Sequence, residues 1–307
     1  MTRRRFFGAG AAALGLGACA TGAAETRHPP VGGIVRVEDL RIHYVAEGEG
    51  PTVVLIHGAS GNLRDFTFSM TDALKAQGLR VVAFDRPGHG WSDRAPERGW
   101  SPAVQARVLR KAAEALGVER PVVAGHSWGG AVAMAWALDD PQGVAAAVSI
   151  AGATYPWGGD AGLIYRLARN PILTGPTRAL VRAFVDPEDA GDVVARVFRP
   201  QPAPPGYAEH IGVGLALRPD SFRWNAEDLH HLNDELERQA PRYASLPMPV
   251  EAIHGAADRT VWASVHAEPL ARDAPEGRLT LLDGVGHMPH HVAEAAVVER
   301  IAAAARA

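Results

Sequence analysis

A serine between glycines lies at residues 125–130, which have the sequence GHSWGG. The form G-x-S-x-G is typical of a serine held on a sharp turn from a strand into a helix, because small neighbours avoid a clash there. The same letters also occur in tight glycine turns that have no chemical role. Residues 120–127 have a buried-strand pattern and residues 128–138 an apolar helix pattern, so we predict that Ser127 is a nucleophile.

A serine hydroxyl becomes a good nucleophile only beside a base, and histidine is the usual one. His287 is the best-placed candidate, since it follows the last predicted strand on a glycine-containing loop. Such a loop at the carboxyl edge of a sheet can bring the imidazole over Ser127. The final predicted helix begins near His290 and His291, which makes them weaker candidates. The other histidines considered are His57, His89 and His126.

The base in turn needs a carboxylate that orients it. Asp258 stands just beyond the end of the penultimate predicted strand, in IHGAADRTV, and is the preferred candidate. Asp283 is the weaker alternative because the last strand is expected to include it. Asp139 and Asp140 close a helix, where capping or surface roles are usual.

Attack on a carbonyl group also requires donors for the oxyanion that forms. The turn LIHGAS places the backbone N–H of Ala59 near the expected site, and the N–H of Trp128 begins the helix after the serine. These two groups are the predicted oxyanion hole. Ser60 could add its hydroxyl, although a simple turn role explains it equally well.

The elements that must position these residues alternate along the chain between strand and helix patterns. Residues 33–48 indicate two antiparallel strands around Glu38 and Asp39. Buried-strand patterns follow at 52–58, 79–85, 120–127, 144–153, 249–255 and 278–284, and helix patterns at 63–77, 102–116, 128–138 and 292–307. Ser101 is the predicted N-cap of the helix that begins at Pro102. This alternation predicts an α/β fold, with a mostly parallel sheet covered by helices on both faces.

The alternation is interrupted at residues 154–245, where helical runs but no strand-like runs occur and a proline-rich stretch lies at 199–206. A connection of this length needs its own helices. We predict an inserted helical cap over the carboxyl edge of the sheet, with the core formed by 33–153 and 246–307. The aromatic residues interpreted either as an apolar pocket or as ordinary core are Tyr155, Trp157, Phe222 and Trp224.

The motifs together resemble the capped members of the α/β-hydrolase superfamily over residues 33–306. HGAS, DRPGHGWSD at 85–93, GHSWGG, HGAADRTV and GVGH occur in the family's order, with serine, aspartate and histidine in sequence. The resemblance implies that Asp85 and Arg86 are structural. Haloalkane dehalogenases and epoxide hydrolases use an aspartate nucleophile, whereas residue 127 is serine, so those reactions are disfavoured.

The resemblance implies a serine hydrolase that acts on an ester, thioester or lactone of modest size. The same residues leave carbon–carbon bond or amide hydrolysis open, as well as a catalytically silent ligand-binding protein. The HGxGPGA-like segment of carbon–carbon bond hydrolases and the HGGPG of proline iminopeptidases are absent. We expect no metal or organic cofactor, since no ligand cluster of useful spacing occurs in the sequence. The net charge of −3 argues against a nucleic-acid partner and leaves a small-molecule substrate.

The N-terminus has the pattern of an export signal. Residues 1–18 have a basic start, a short apolar run and small residues at the end. Residues 2–7 resemble a twin-arginine signal, and Leu16-Gly17-Ala18-Cys19 resembles a lipoprotein lipobox. We predict export across a bacterial inner membrane, a lipid anchor on Cys19 and a tether over 19–32. A cytoplasmic chain with a basic, alanine-rich tail is the alternative. Because Cys19 is the only cysteine, no intramolecular disulfide can form.

Overall fold

The structure is a computed structural model, and it describes residues 23–159, 162–184 and 191–307. The predicted signal peptide at 1–18 and Cys19 lie outside the described residues. Among the helices that are described, none is both long enough and apolar enough to span a membrane.

Eight strands form one sheet whose order is β1-β2-β4-β3-β5-β6-β7-β8. The pairs β1–β2 and β2–β4 are antiparallel, and all the other pairs are parallel. The strands are β1 (Gly33–Val37), β2 (Leu40–Glu47), β3 (Thr52–Ile56), β4 (Arg80–Phe84), β5 (Val122–His126), β6 (Ala146–Ile150), β7 (Val250–Gly255) and β8 (Gly277–Leu282). The predicted α/β class with a mostly parallel sheet is confirmed.

The buried apolar runs of the sequence become the central strands because helices cover both of their faces. Every residue of β5 and β6 is buried. The predicted segments extend one to three residues past several strand ends, since their last residues form the loops at the carboxyl edge. Thus the pattern at 52–58 contains β3 and then His57 and Gly58, which have left the sheet.

Helices lie on both faces of the sheet and enclose two apolar clusters. On one face α3 and α4 pack with part of the long helix α10, and on the other α1, α2 and α13 pack against the strands. The helices are α1 (Arg64–Thr67), α2 (Met70–Lys75), α3 (Pro102–Ala115), α4 (Trp128–Asp139), α5 (Leu163–Ala168), α6 (Thr174–Phe184), α7 (Gly191–Phe198), α8 (Tyr207–Ile211), α9 (Val213–Ala216), α10 (Pro219–Gln239), α11 (Ala263–Asp273), α12 (Pro289–Val292) and α13 (Glu294–Ala305).

Two local predictions about helices need correction. The helix predicted over 63–77 is two short helices, because Ser69 leaves the helical conformation and its hydroxyl donates to Glu294 of α13. Ser101 precedes α3 as predicted, but its side chain does not cap the helix. Its hydroxyl instead donates to Glu235 of α10 at 2.6 Å, so a tertiary partner replaces the local one.

The segment between β6 and β7 contains α5 to α10 and a 3-10 helix (Ala240–Ser245), and no strand occurs among its described residues. The 21-residue helix α10 ties this segment to the sheet through polar side chains. Asn225 accepts a hydrogen bond from the backbone N–H of Ser60 at 2.7 Å, and Asp228 pairs with Arg86 at 2.9 Å. Helix α10 therefore lies beside the loops at the carboxyl edge of the sheet.

The described part of the predicted tether, residues 23–32, is attached to the body of the protein. Residues 23–27 are helical, and Glu25 pairs with Arg218 at 3.1 Å. The carbonyl of His28 accepts a hydrogen bond from the Trp91 indole at 3.2 Å, and that of Pro29 accepts one from Arg64 at 2.6 Å. These contacts hold the segment against both the core, through Trp91 and Arg64, and the helical insertion, through Arg218.

Candidate active site

Ser127 occupies the turn between β5 and α4 and has a strained backbone, with φ at 52° and ψ at −120°. Non-glycine residues rarely adopt positive φ, and such a conformation costs about 1–3 kcal/mol. The flanking glycines are required because the neighbouring backbone lies too close to leave room for a side chain. A Cβ on Gly125 would lie 2.0 Å from the carbonyl of Gly129, and one on Gly129 would lie 2.2 Å from the carbonyl of Ile56. The turn thus projects the serine side chain away from both elements.

The structure brings Ser127, His287 and Asp258 into one hydrogen-bonded chain. His287 Nε2 lies 3.0 Å from Ser127 Oγ, and His287 Nδ1 lies 2.7 Å from Asp258 Oδ2. Asp258 follows β7 and His287 follows β8, so parallel strands deliver both side chains to the edge where β5 delivers the serine. His287 and Asp258 are buried and Ser127 is half-buried, so the hydroxyl remains within reach of a ligand.

Asp258 is held ionised and oriented by its neighbours. Its Oδ1 accepts the backbone N–H groups of Thr260 and Val261 at 2.8 and 3.0 Å, and its Oδ2 accepts a hydrogen bond from His287. His254 Nε2 lies 3.2 Å from Oδ2 and donates to the carbonyl of Val261 at 2.7 Å. Burial alone raises the pKa of Asp258, but His254 and His287 outweigh it and hold the pKa below its usual range. The sequence reasoning missed His254, although its position four residues before Asp258 in the same strand-to-loop segment was a usable signal.

The weaker acidic candidates lie elsewhere. Asp283 was expected within the last strand, but β8 ends at Leu282 and Asp283 is an exposed residue of the following turn. Asp139 ends α4, and Asp140 caps that helix, where its side chain accepts the N–H of Gly143 at 3.1 Å. None of the three is among the hydrogen-bond partners of His287.

The other histidines have structural partners. His57 accepts the backbone N–H of Arg86 at 2.9 Å, and burial lowers its pKa to about 3. His89 pairs with Asp228 at 2.9 Å, and burial lowers its pKa to about 4. His126 Nε2 donates to the backbone carbonyl of His287 at 3.0 Å. These rings are neutral at neutral pH and brace the loops around Ser127.

His290 and His291 belong to a buried group centred on Asp65. The carboxylate accepts hydrogen bonds from His290 Nε2 at 3.2 Å, His291 Nε2 at 2.8 Å and the Tyr207 hydroxyl at 2.6 Å. The fold therefore brings together Asp65, His290 and His291, three residues of types that can bind metals, with their ligand atoms within 4.8 Å of one another. Their spacing in the sequence did not predict this cluster. Because three donors already satisfy the carboxylate, hydrogen bonding accounts for the arrangement, and it anchors α12 next to His287.

The predicted oxyanion residues, Ala59 and Trp128, both line the cavity that contains Ser127. The loop after β3 approaches closely, since a Cβ on Gly58 would lie 3.0 Å from Ser127 Cβ. Arg86 holds this loop by donating to the carbonyl of Gly58 at 3.2 Å. The backbone N–H of Ser60 already donates a hydrogen bond to Asn225. The N–H of Ala59 therefore remains the candidate of this loop for the predicted oxyanion hole.

The resemblance implies that Asp85 and Arg86 are structural. Both side chains are fully buried and bind other residues of the protein. Asp85 accepts the backbone N–H groups of Leu63 and Trp91, both at 2.7 Å, and contacts His43 Nδ1 at 2.6 Å. Arg86 pairs with Asp228 and lies 4.2 Å from the ring centroid of Trp128. These side chains hold the loop that carries them against its neighbours.

Asp228 of α10 is a second residue that the sequence reasoning missed. Besides Arg86 and His89 it binds Arg94 at 2.6 Å and Gln105 at 3.2 Å. Burial opposes ionisation, but the charge of Arg94 and the hydrogen bond from His89 hold the pKa of Asp228 below its usual range. The insertion is thereby fastened to the body by a buried ionic network next to Trp128.

A cavity of about 780 Å³ opens onto Ser127 and His287. Of the four aromatic residues interpreted either as pocket or as core, Trp157 and Phe222 line it. Tyr155 and Trp224 are not among the described residues of its lining. The hydroxyl of Tyr155 donates to Asp273 at 2.8 Å, and the ring of Trp224 lies 5.9 Å from the guanidinium carbons of Arg94 and Arg223.

Comparisons with known proteins identify the family to which this fold belongs. A family model described as the alpha/beta hydrolase fold matches residues 51–294. The chain therefore belongs to the α/β-hydrolase family.

Individual relatives cover most of the chain. An uncharacterized protein of Mycobacterium tuberculosis is 30% identical over 283 residues, covering 86% of this chain and 77% of that protein. Among solved structures, an esterase from Exiguobacterium antarcticum has a TM-score of 0.73 at 18% identity and covers 90% of this chain and 100% of its own. A bacterial membrane phospholipase A has a TM-score of 0.68 at 23% identity, with 96% and 93% covered. At these identities the structures show the fold.

Proposed function

We propose that this protein is a serine hydrolase that cleaves a small to medium carboxylic ester, thioester or lactone through an acyl-enzyme. The observation that carries the proposal is the chain Ser127 Oγ–His287 Nε2–Asp258, with separations of 3.0 and 2.7 Å, at the floor of a cavity. Both separations lie within the range for nucleophile, base and orienting acid.

In the first half of the proposed reaction, His287 takes the hydroxyl proton as Ser127 Oγ attacks the carbonyl carbon. Asp258 holds the Nδ1–H of His287 and stabilises the imidazolium. The tetrahedral oxyanion lies between the backbone N–H groups of Ala59 and Trp128, the second at the positive end of α4. Collapse of this intermediate expels the alcohol or thiol, which receives the proton from His287.

In the second half, water replaces the leaving group. His287 accepts a proton from that water, the resulting hydroxide attacks the acyl carbonyl, and the second tetrahedral intermediate releases the acid. The proton then returns to Ser127 Oγ. For a lactone the alcohol and the acid are two ends of one product.

The lining of the cavity favours an apolar acyl group of limited length. Most of the lining is apolar, and the inserted segment supplies a large share of it, including Tyr165, Phe222 and Leu229. We therefore propose that residues 154–245 act as a cap that selects the acyl group while the sheet edge performs the chemistry. Two proteins of similar structure are an esterase and a phospholipase A, which supports ester hydrolysis as the reaction class.

Labelling and turnover measured together test the proposal. A fluorophosphonate should label Ser127 stoichiometrically, and p-nitrophenyl esters of increasing acyl length should be hydrolysed with an initial burst of nitrophenol. Ser127→Ala should remove labelling and turnover while the thermal unfolding midpoint stays near that of the wild type. Labelling without turnover of any ester, thioester or lactone would favour the ligand-binding alternative, and turnover by Ser127→Ala would exclude the mechanism.

We also propose that the protein is exported and carries lipid on Cys19. The sequence features of residues 1–19 support this proposal. A single fatty chain binds membranes only marginally, whereas two chains anchor stably, and a bacterial lipoprotein carries a diacylglyceryl group. Cys19→Ser should release the protein from the membrane fraction in high salt, which also screens surface charges, with its ester activity retained. Replacing Arg3 and Arg4 by lysine should leave precursor in the cytoplasm. If the wild-type protein is found in the cytoplasm and still carries Met1, both the export and the lipid anchor are contradicted.

A further inference from the structure

Helices α5 and α6 and the turn between them expose apolar residues as well as burying them. The two helices contact each other and pack against α10, and the inner residues Tyr165, Ala168 and Val181 lie against Phe222 and Ala226. Five large apolar residues within 18 positions are nevertheless exposed, which are Leu163 and Ile164 of α5, Ile172 and Leu173 of the turn, and Leu180 of α6. Single exposed leucines are ordinary, but a concentration of this kind marks an interaction surface.

The charge of this segment differs from that of the whole chain. Residues 162–184 contain four arginines and no aspartate or glutamate, whereas the chain has a net charge of −3. The arginines are Arg166, Arg169, Arg178 and Arg182. Three acidic residues follow in the sequence at 185–190, outside the described residues. Exposed leucine and isoleucine interspersed with arginine is the composition of helices that lie in the interface of an anionic membrane.

The same helices border the proposed active site. Tyr165 of α5 and Val181 of α6 line the cavity that opens onto Ser127. Trp262, which is 59% exposed, lines that cavity as well, and tryptophan is favoured where apolar and aqueous phases meet. A surface that binds lipid here would therefore lie next to the space that receives an acyl group.

We propose that the exposed part of α5, α6 and the turn between them, here called the arginine–leucine surface (residues 163–182), binds the surface of an anionic lipid bilayer. The apolar side chains enter the headgroup region, and the positive charge of the segment attracts the lipid phosphates. A second copy of the chain is a poorer occupant. A two-fold interface places the same patch on both sides, so arginines would face arginines. The proposal concerns binding and stands apart from the reaction at Ser127.

A site-specific fluorophore can test this in the full chain, because Cys19 is the only cysteine and Cys19→Ser removes it. In that background, Ile172→Cys places an environment-sensitive dye on a residue that is 84% exposed. Leu281→Cys, on β8 and 46% exposed, is the control. Phosphatidylglycerol vesicles should shift the emission to the blue at residue 172 alone, phosphatidylcholine vesicles should do so weakly, and added salt should reduce the shift.

Combined substitution provides the second test. Leu163→Gln, Ile172→Gln and Leu180→Gln together should weaken binding to phosphatidylglycerol vesicles by roughly tenfold or more, since three apolar side chains no longer insert. Leu279→Gln with Leu281→Gln, on the exposed side of β8, should leave binding unchanged. Thermal unfolding checks that each variant is folded.

Three outcomes overturn the proposal. One is an unshifted dye at residue 172 when the protein sediments with the vesicles. Another is equal vesicle binding by the triple glutamine variant and the wild type. The third is a concentration-dependent dimer that the triple variant abolishes, which would assign the surface to a second copy of the chain.

Discussion

His126 Nε2 donates a hydrogen bond to the backbone carbonyl of His287 at 3.0 Å, so the residue before Ser127 holds the main chain of the proposed base. Both rings are buried, and their centroids lie 5.0 Å apart. The contact joins the loop after β8 to the end of β5. It sets the position from which His287 Nε2 reaches Ser127 Oγ.

Removing this contact should lower the rate of reaction more than the binding of substrate. We expect His126→Ala to reduce kcat by roughly 10- to 100-fold with KM little changed, because small displacements of a catalytic group are costly. His126→Gln keeps an amide donor at a similar reach and should recover part of the loss. Steady-state kinetics with a soluble ester, beside thermal unfolding, would measure both effects. A purely structural role would lower the unfolding midpoint and leave kcat intact.

The choice of acid can be tested by two matched substitutions. Asp258→Asn should reduce kcat/KM severely, by roughly four orders of magnitude if the amide stabilises the wrong tautomer of His287. Asp283→Asn, at an exposed turn after β8, should be neutral. His287→Ala should be about as damaging as Ser127→Ala, because the three residues act as a unit. A severe loss in Asp283→Asn with a normal Asp258→Asn enzyme would transfer the role to Asp283.

Two aromatic residues of α10, Phe222 and Trp224, differ in their position relative to the cavity. Phe222 lines the cavity and Trp224 does not, although they are two positions apart. Phe222→Leu enlarges the space and should raise kcat/KM for the longer acyl esters relative to the shorter, by roughly tenfold or more per well-accommodated methylene. Trp224→Leu should leave the acyl preference unchanged. The ratio of rates across a p-nitrophenyl ester series would check this, and an equal shift in both variants would contradict the assignment.

Buried neutral histidines should make the protein sensitive to acid. Burial lowers the pKa of His57 to about 3 and those of His266 and His290 to about 4, from 6.5. A folded-state pKa below the unfolded one means that the unfolded chain binds more protons. These groups therefore contribute full stability above pH 6.5, and the contribution is lost as the pH falls toward 4.

Denaturant unfolding at a series of pH values would measure this loss. The free energy of unfolding should decline already below pH 6.5, before the paired carboxylates Asp65, Asp228 and Asp258 begin to protonate. Their pKa values are held below the usual range, so their own contributions are lost only at lower pH. An unfolding free energy that is flat down to pH 4.5 would contradict the assignment of neutral histidines.

The sequence determined the α/β class because the relevant information is local. Continuous apolar runs such as β5 and β6 require burial on both faces, which a parallel sheet with flanking helices provides. The glycines that the turn at Ser127 requires are within five residues of it in the sequence. The candidates for base and acid follow directly after strands. Since parallel strands end at one edge, strand ends far apart in sequence predict neighbours in space.

Tertiary structure alone decided which partners those residues have. Ser101 was expected to cap its own helix and instead binds Glu235, and Asp65 gathers His290, His291 and Tyr207 from distant segments. Phe222 and Trp224 lie two positions apart, so the helical period alone places them on different sides of α10. Which of the two sides faces the cavity depends on how the insertion docks on the sheet, through long-range contacts such as Asp228 with Arg86 and Arg94. Those contacts have no local pattern, because the partners are far apart in the sequence and meet only in the folded chain, where their attraction must offset the cost of removing both charges from water.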